Sequence, residues 1–272
     1  GAATGGAAAP SPADFLDIST ELLNGPPDGD GVVGELNDRI AALPIRPTIA
    51  AVSKAFQLNR EQHIALTAMA GDLALQFILR SDDAAAPSVE LQDIITRLKQ
   101  LKAATGGNPD NAMTLCLLGE GGTGKSHTIR AHTTWAAGWG LRDSIRVCAT
   151  TGAAAGLIGG RTFHNLFKLG GMSKPMVVDK EDSSYYGILQ ILVDEISMLS
   201  RQNLGAGVKN LQALTGKTST PAGNVSLILC GDFHQIKQVS GDPIYLAASD
   251  GISTDEAEGA NTWMRMNAAV TL

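Results

Sequence analysis

Eight consecutive residues, Gly119 to Ser126 (GEGGTGKS), fit the spacing G-x-x-x-x-G-K-[ST], a pattern suited to holding phosphate. Glycines let main-chain N–H groups close around phosphate oxygens, and a helix that starts at the end of the loop aims its positive end at them. Lys125 is placed to reach the β- and γ-phosphates, and the Ser126 hydroxyl to hold Mg²⁺. Nucleotide contacts are therefore expected from Gly119, Gly121, Gly122, Thr123, Gly124, Lys125, Ser126 and the adjoining His127.

A second group, Asp194-Glu195, ends the apolar run Ile188–Val193 (ILQILV). An isolated carboxylate pair is usually a solvated strand terminus. Beside a phosphate loop it divides the labour: Asp194 binds Mg²⁺ directly or through water, and Glu195 orients and deprotonates the attacking water. A kinase acting on a bound hydroxyl has less need of such a pair, so the motif favours hydrolysis. A third group, Gly231-Asp232-Phe233-His234-Gln235, follows another apolar run. Gln235 suits a sensor of the γ-phosphate or the lytic water; the alternative is a polar turn.

Two further stretches are less specific. Gln62, in LNREQ, has the donor and acceptor needed to pair with an adenine edge, against the plainer reading of a surface glutamine. The Thr- and Gly-rich stretch from Ala149 to His164 (ATTGAAAGLIGGRTFH) can hold the phosphates of a single strand through amides and hydroxyls. Its alternative is an ordinary helix start capped by threonine.

The elements that must position these groups follow from periodicity. Near-continuous apolar runs predict strands over 113–118, 145–150, 188–193 and 225–230, with a last one in AAVTL at the end of the chain. Helical patterns occupy LNREQHIALTAMAGDLALQFIL and SVELQDIITRLKQLK, the latter with Leu91, Ile94, Ile95, Leu98 and Leu101 on one stripe; a further helix follows the loop through Trp135. Buried strands alternating with helices predict an α/β fold with a mostly parallel sheet covered on both faces. Ligands of such sheets gather at the carboxyl ends of the strands, where each polar motif falls. Residues 1–55 read as a low-complexity, partly disordered extension with one short amphipathic helix (Phe15, Ile18 and Leu22 on its face); 56–272 read as the compact domain.

In order and content, LNREQ, GEGGTGKS, ATTGAAA with GGRTFHN, LVDEISML and GDFHQIKQV resemble the petite-integration-frequency (Pif-one) helicases, superfamily-one motors that include the helicase halves of Helitron transposons. The resemblance runs from about Phe56 to Leu272. It implies a RecA-like P-loop NTPase domain using ATP and Mg²⁺, and a 5′-to-3′ DNA helicase working on single-stranded DNA in repair, recombination, telomere maintenance or transposition. On it, Gln62 reads adenine, Lys125 and Ser126 serve phosphate and metal, Asp194 and Glu195 are the metal and base carboxylates, and Gln235 is the sensor. Thr151, Gly152, Thr162 and His164 lie along the DNA track. The family writes Leu-Pro-Pro-Val where this chain has Ile236-Lys237-Gln238-Val239, and His-Ser where it has His164-Asn165. WMRMNAAVTL resembles the strand closing a first motor domain, so a second RecA-like domain, with the arginines that complete the site, is expected outside these residues. The alternatives are a P-loop kinase, which needs an Arg-rich lid, and a non-hydrolysing relic of a transposon helicase.

Bulk properties narrow the classes further. With 272 residues, 44% hydrophobic and 18% charged, the chain has the make-up of a soluble globular protein, and 4% aromatics disfavour a fold built on aromatic platforms. A net charge of −6 gives no global pull toward nucleic acid, so DNA contact must rest on a local groove. No apolar run approaches the ~20 residues of a membrane span. Cys116, Cys148 and Cys230 each sit in an apolar run without metal-ligand spacing, which reads as three buried reduced thiols in an intracellular protein. For a helicase of the resembling kind, a monomer is expected, in the nucleus if eukaryotic, with the mitochondrion as the other site.

Overall fold

The computed structural model describes residues 46–81, 88–170, 185–235, 241–246 and 251–272. The expected N-terminal amphipathic helix and the Ile236–Val239 departure lie outside them.

Six strands form one sheet in the order β3-β2-β4-β5-β1-β6, and every pairing is parallel. They are β1 (Thr114–Leu118), β2 (Ile145–Ala149), β3 (Arg161–Thr162), β4 (Gln190–Asp194), β5 (Ser226–Gly231) and β6 (Ala268–Thr271). The central β4 and β5 are buried along their whole length, as continuous apolar runs require. The edge strand β6 instead alternates half-buried and exposed positions. Period-two alternation sends Leu115, Leu117 and Leu192 to one face and Cys116, Ile191 and Val193 to the other.

The first face is covered by α1 (Ile49–Ala55), α2 (Arg60–Ile78), α3 (Val89–Ala104) and α4 (Lys125–Gly138). Ile49 and Val52 are buried in this core, so the packed unit begins upstream of Phe56, where the sequence reading started it. On α3, Leu91 and Leu98 are buried but Leu101 stands exposed. Between β2 and β3 lies α5 (Gly152–Leu157), the Thr-capped helix start of the plainer sequence reading, and Ile158 at its end packs on the first-face core. The second face carries α6 (Phe163–Leu166), α7 (Arg201–Thr215) and α8 (Thr254–Met264), none of them expected as separate helices. α7 and α8 pack backbone to backbone: a Cβ on Gly205 would stand 1.7 Å from the Asp255 carbonyl oxygen, and one on Gly259 2.0 Å from that of Arg201. The contact needs glycine on both helices.

The three cysteines are buried and unpaired, and burial pushes the Cys116 thiol up to about 12. Among the described residues no helix is long and apolar enough to cross a membrane. The fold is α/β, a fully parallel sheet covered on both faces, with the phosphate loop, the carboxylate pair and the Gln235 turn at its carboxyl edge.

Candidate nucleotide site

β1 delivers the chain into the phosphate loop, whose first amide, Gly119 N–H, donates to the Gly231 carbonyl at the end of β5 (3.2 Å). The loop turns through left-handed backbone at Gly122 (φ 82°) and Gly124 (φ 92°) and enters α4 at Lys125. Seven of the described α-helices begin with a side chain that accepts an amide of their own first turn: Thr48, Asn59, Ser88, Thr151, Thr162, Ser200 and Ser253. Helix α4 alone starts on glycine with no such bond. Its first-turn N–H groups are thus left to an outside acceptor, and the helix end favours an anion.

The Lys125 ammonium donates to the carbonyls of Gly119 (2.7 Å) and Glu120 (3.0 Å), which holds the loop closed on itself. Gln62 braces it from behind. Its Oε1 accepts the Asn59 N–H and its N–H donates to Asn59 Oδ1, a reciprocal cap at the start of α2, while Nε2 donates to the Thr123 carbonyl (3.0 Å). Gln62 is therefore no surface residue, being 9% exposed. Its amide reaches the loop itself, and any adenine contact has to share or displace those bonds. His127 turns toward α1: Nε2–H donates to the Phe56 carbonyl (2.8 Å) with the two rings 5.4 Å apart.

β4 ends at Asp194, which is 6% exposed and accepts the Glu195 N–H (2.9 Å). Glu195 adopts left-handed backbone (φ 57°, ψ 43°), unusual for a non-glycine residue, and the Thr150 hydroxyl at the end of β2 donates to its carbonyl (3.0 Å). Burial holds both carboxyls above their ordinary range; Asp194 raises Glu195 further, and Lys125 lowers both. Asp232, just past β5, is also buried and adds its charge to Glu195. Asp232 accepts the His234 N–H (2.9 Å), and its carbonyl accepts the Gln235 N–H (3.1 Å). That turn brings Gln235 Nε2 within 3.3 Å of where a Cβ on Gly121 would stand.

Three carboxylates and one ammonium thus share the floor of the site, an excess of negative charge that suits a divalent cation. Among the described residues no group of three or more His, Cys, Asp or Glu side chains converges to ligate a metal unaided. This fits Mg²⁺, which is typically held by one or two protein groups together with substrate phosphates. Ser126 and Asp194 are the groups the sequence reading assigns to the metal, and Asp194 is the buried one at the end of β4.

The DNA-track candidates sit apart, at the carboxyl ends of β2 and β3, with β4 and β5 between them and β1. Register pairs Ala149 with Thr162. The hydroxyl oxygens of Thr151 and Thr162 cap α5 and α6 through Ala154 N–H and Asn165 N–H, the plainer of the two sequence readings. Gly152 and His164 are exposed on the same edge. Two contributors received no role from sequence: Thr150, which pins Glu195, and Asp232. Both lie within the quoted motifs, at strand ends, which is the signal that marks them.

The profile of the PIF1-like helicase family matches residues 99–250, more than half of the chain. The chain belongs to the PIF1-like helicases. It is 36% identical over 126 residues to the ATP-dependent DNA helicase PIF1 of Trypanosoma brucei brucei, covering 46% of this chain and 13% of that protein. Against the namesake of Saccharomyces cerevisiae it is 33% identical over 142 residues, covering 49% and 16%. With the Pif1 of Bdellovibrio bacteriovorus the figures are 33% over 136 residues, covering 46% and 29%. The chain thus spans less than a third of the length of these relatives. The crystal structure of Pif1 helicase from Candida albicans aligns at a TM-score of 0.44 with 22% identity, covering 70% of this chain and 40% of that one.

Proposed function

We propose that this PIF1-like helicase domain binds Mg-ATP and supplies the hydrolytic half of a 5′-to-3′ DNA helicase, the DNA strand running along the β2–β3 edge. The observation that carries the reading is the meeting of Lys125, Asp194, Glu195 and Gln235 around α4, the one described α-helix whose start has no side-chain cap.

In this reading the nucleotide's phosphates take the α4 amides, and Lys125 exchanges two neutral carbonyls for phosphate oxygens, a charge-assisted and stronger bond. Bound Mg²⁺ would be held by Ser126 and Asp194 and would offset charge on the phosphates. Glu195, its carboxyl lifted by burial and by Asp194, takes the proton of the attacking water and is a better base than an ordinary glutamate. Gln235, beside Gly121, bonds the γ-phosphate or the water and transmits its loss to the turn after β5. Gln62 carries the state of the loop to α2, beside the adenine. The arginine that stabilises charge on the transferred phosphoryl group comes from a second RecA-like domain; of the arginines near the motifs, Arg146 donates to the Asp143 and Ile145 carbonyls and Arg201 pairs with Asp242. The protein works inside the cell, as a monomer; its three unpaired buried thiols fit a reducing compartment.

An ATPase assay with and without single-stranded DNA tests this. Since such an arginine is worth about 10³–10⁵ in rate, residues 1–272 alone are expected to bind ATP, hydrolyse it very slowly and gain little from DNA. Failure to bind nucleotide would refute the site; unaided unwinding of a 5′-tailed duplex would refute the division of labour.

A further inference from the structure

A second cavity, of about 440 Å³, opens at the opposite edge of the sheet. Its walls come from the segments that precede β2, β4 and β5 and from the ends of α2 and α7, so it shares no residue with the phosphate loop. The volume lies within the ~300–1,000 Å³ usual for small-molecule sites.

Two cations, Arg80 and Lys217, face this space, and no acidic residue is among its described lining. Neither has an ion-pair partner among the described residues. The acid that acts on Arg80, Asp72, is fully buried and already bonded to Lys102 and Ser226. The Arg80 guanidinium is fixed in place by the carbonyls of Asn224 and Ile188 and by Gln76 Oε1, neutral acceptors that orient its charge without cancelling it. Partial desolvation and then the nearby Arg80 charge hold the Lys217 ammonium below its ordinary range, so the two cations lie close enough to act on one another. In a chain of net charge −6 such a pair calls for an anion. Ser81 and Ser144 add hydroxyl donors at the rim, and Tyr186, 71% exposed, offers a flat face beside them.

We propose that this cavity binds a nucleoside 5′-monophosphate group, free or at the end of a single strand. A terminal phosphate carries about −1.5 to −2 charge at neutral pH, a match for two cations, and its oxygens suit a guanidinium fork with an ammonium. The base stacks on Tyr186, as bases do on exposed aromatic faces.

The test is a titration of the 272-residue chain, with saturating ADP to fill the phosphate loop, using thymidine 5′-monophosphate in one arm and 5′-phosphorylated oligothymidylate in the other. At least one arm is expected to bind, and whichever binds identifies the source. Lys217→Gln and Tyr186→Ala are each expected to weaken that binding about tenfold or more, with thermal melting unchanged because both side chains are exposed. Absence of binding in both arms, unchanged affinity in both variants, or equal affinity for the oligomer without its 5′-phosphate would overturn the proposal.

Discussion

Gln62 and Thr123 join two elements that lie 61 residues apart in sequence: the amide that closes the cap of α2 also donates to the main-chain carbonyl just before Gly124. Helix α2 and the phosphate loop are therefore set by one side chain. Gln62→Ala removes both connections. Loss of the cap alone is worth ~1 kcal/mol, and the freed loop is expected to bind ATP about tenfold more weakly. Calorimetric titration checks this, and a variant that binds as the parent does would show the brace to be idle.

Lys125→Ala deletes the charge-assisted contact with phosphate. Such bonds contribute roughly 1.5–3 kcal/mol, or about ten- to more than a hundredfold in affinity. The same substitution unties Gly119 and Glu120, so the empty loop should also exchange its amide protons faster, readable by hydrogen exchange.

Glu195→Gln is expected to keep nucleotide affinity and abolish hydrolysis, measured with the second domain supplied so that a starting rate exists. The pH dependence follows from the raised carboxyls. Hydrolysis needs Glu195 ionised, so the rate should fall as pH falls through a value above that of an ordinary glutamate. Stability runs the other way. Groups with folded pKa values above their unfolded ones make the folded state bind more protons, so the empty domain should gain stability as pH drops through that window. Mg-ADP should erase part of this gain, because cation binding offsets the crowded charges.

The buried pair Lys102–Asp72 (2.5 Å) ties α3 to α2 beneath the sheet, with Ser226 and the Asn111 carbonyl completing it. Breaking it by Lys102→Met leaves an unpaired buried carboxylate and is expected to cost about 3–5 kcal/mol in denaturant unfolding. The double variant Lys102→Met with Asp72→Leu should recover much of that loss. If the double variant is as unstable as the sum of its parts, the pair is no unit.

What the sequence disclosed depended on how loudly each element speaks in local pattern. Strands such as TLCLL and SLILCG are legible because both faces are buried, which erases polar alternation. Helices α7 and α8 were not, because their glycines lower helical propensity: Gly205 and Gly259 are there to let two backbones touch, and Gly207 to make room for the rings of Phe163 and Phe167. α1 hid behind the Pro-rich segment before it, and β3 has only two residues. Of the site, the phosphate-loop residues and the carboxylates could be named because their chemistry demands fixed spacing. The contact between Gln62 and Thr123 and the bond from Thr150 to Glu195 are tertiary: a strand-end position marks Thr150 as a site residue, but no local pattern names its partner.

The left-handed backbone at Glu195 is a conformation glycine enters freely and glutamate resists, at a cost of order 1 kcal/mol or more. Glu195→Gly should therefore raise the melting temperature while silencing hydrolysis. A laboratory campaign that ranked variants of this domain by heat tolerance alone would be drawn toward that change and would deliver a sturdier, inert protein. Here durability and turnover compete for the same peptide unit, and any stabilisation programme has to hold position 195 fixed.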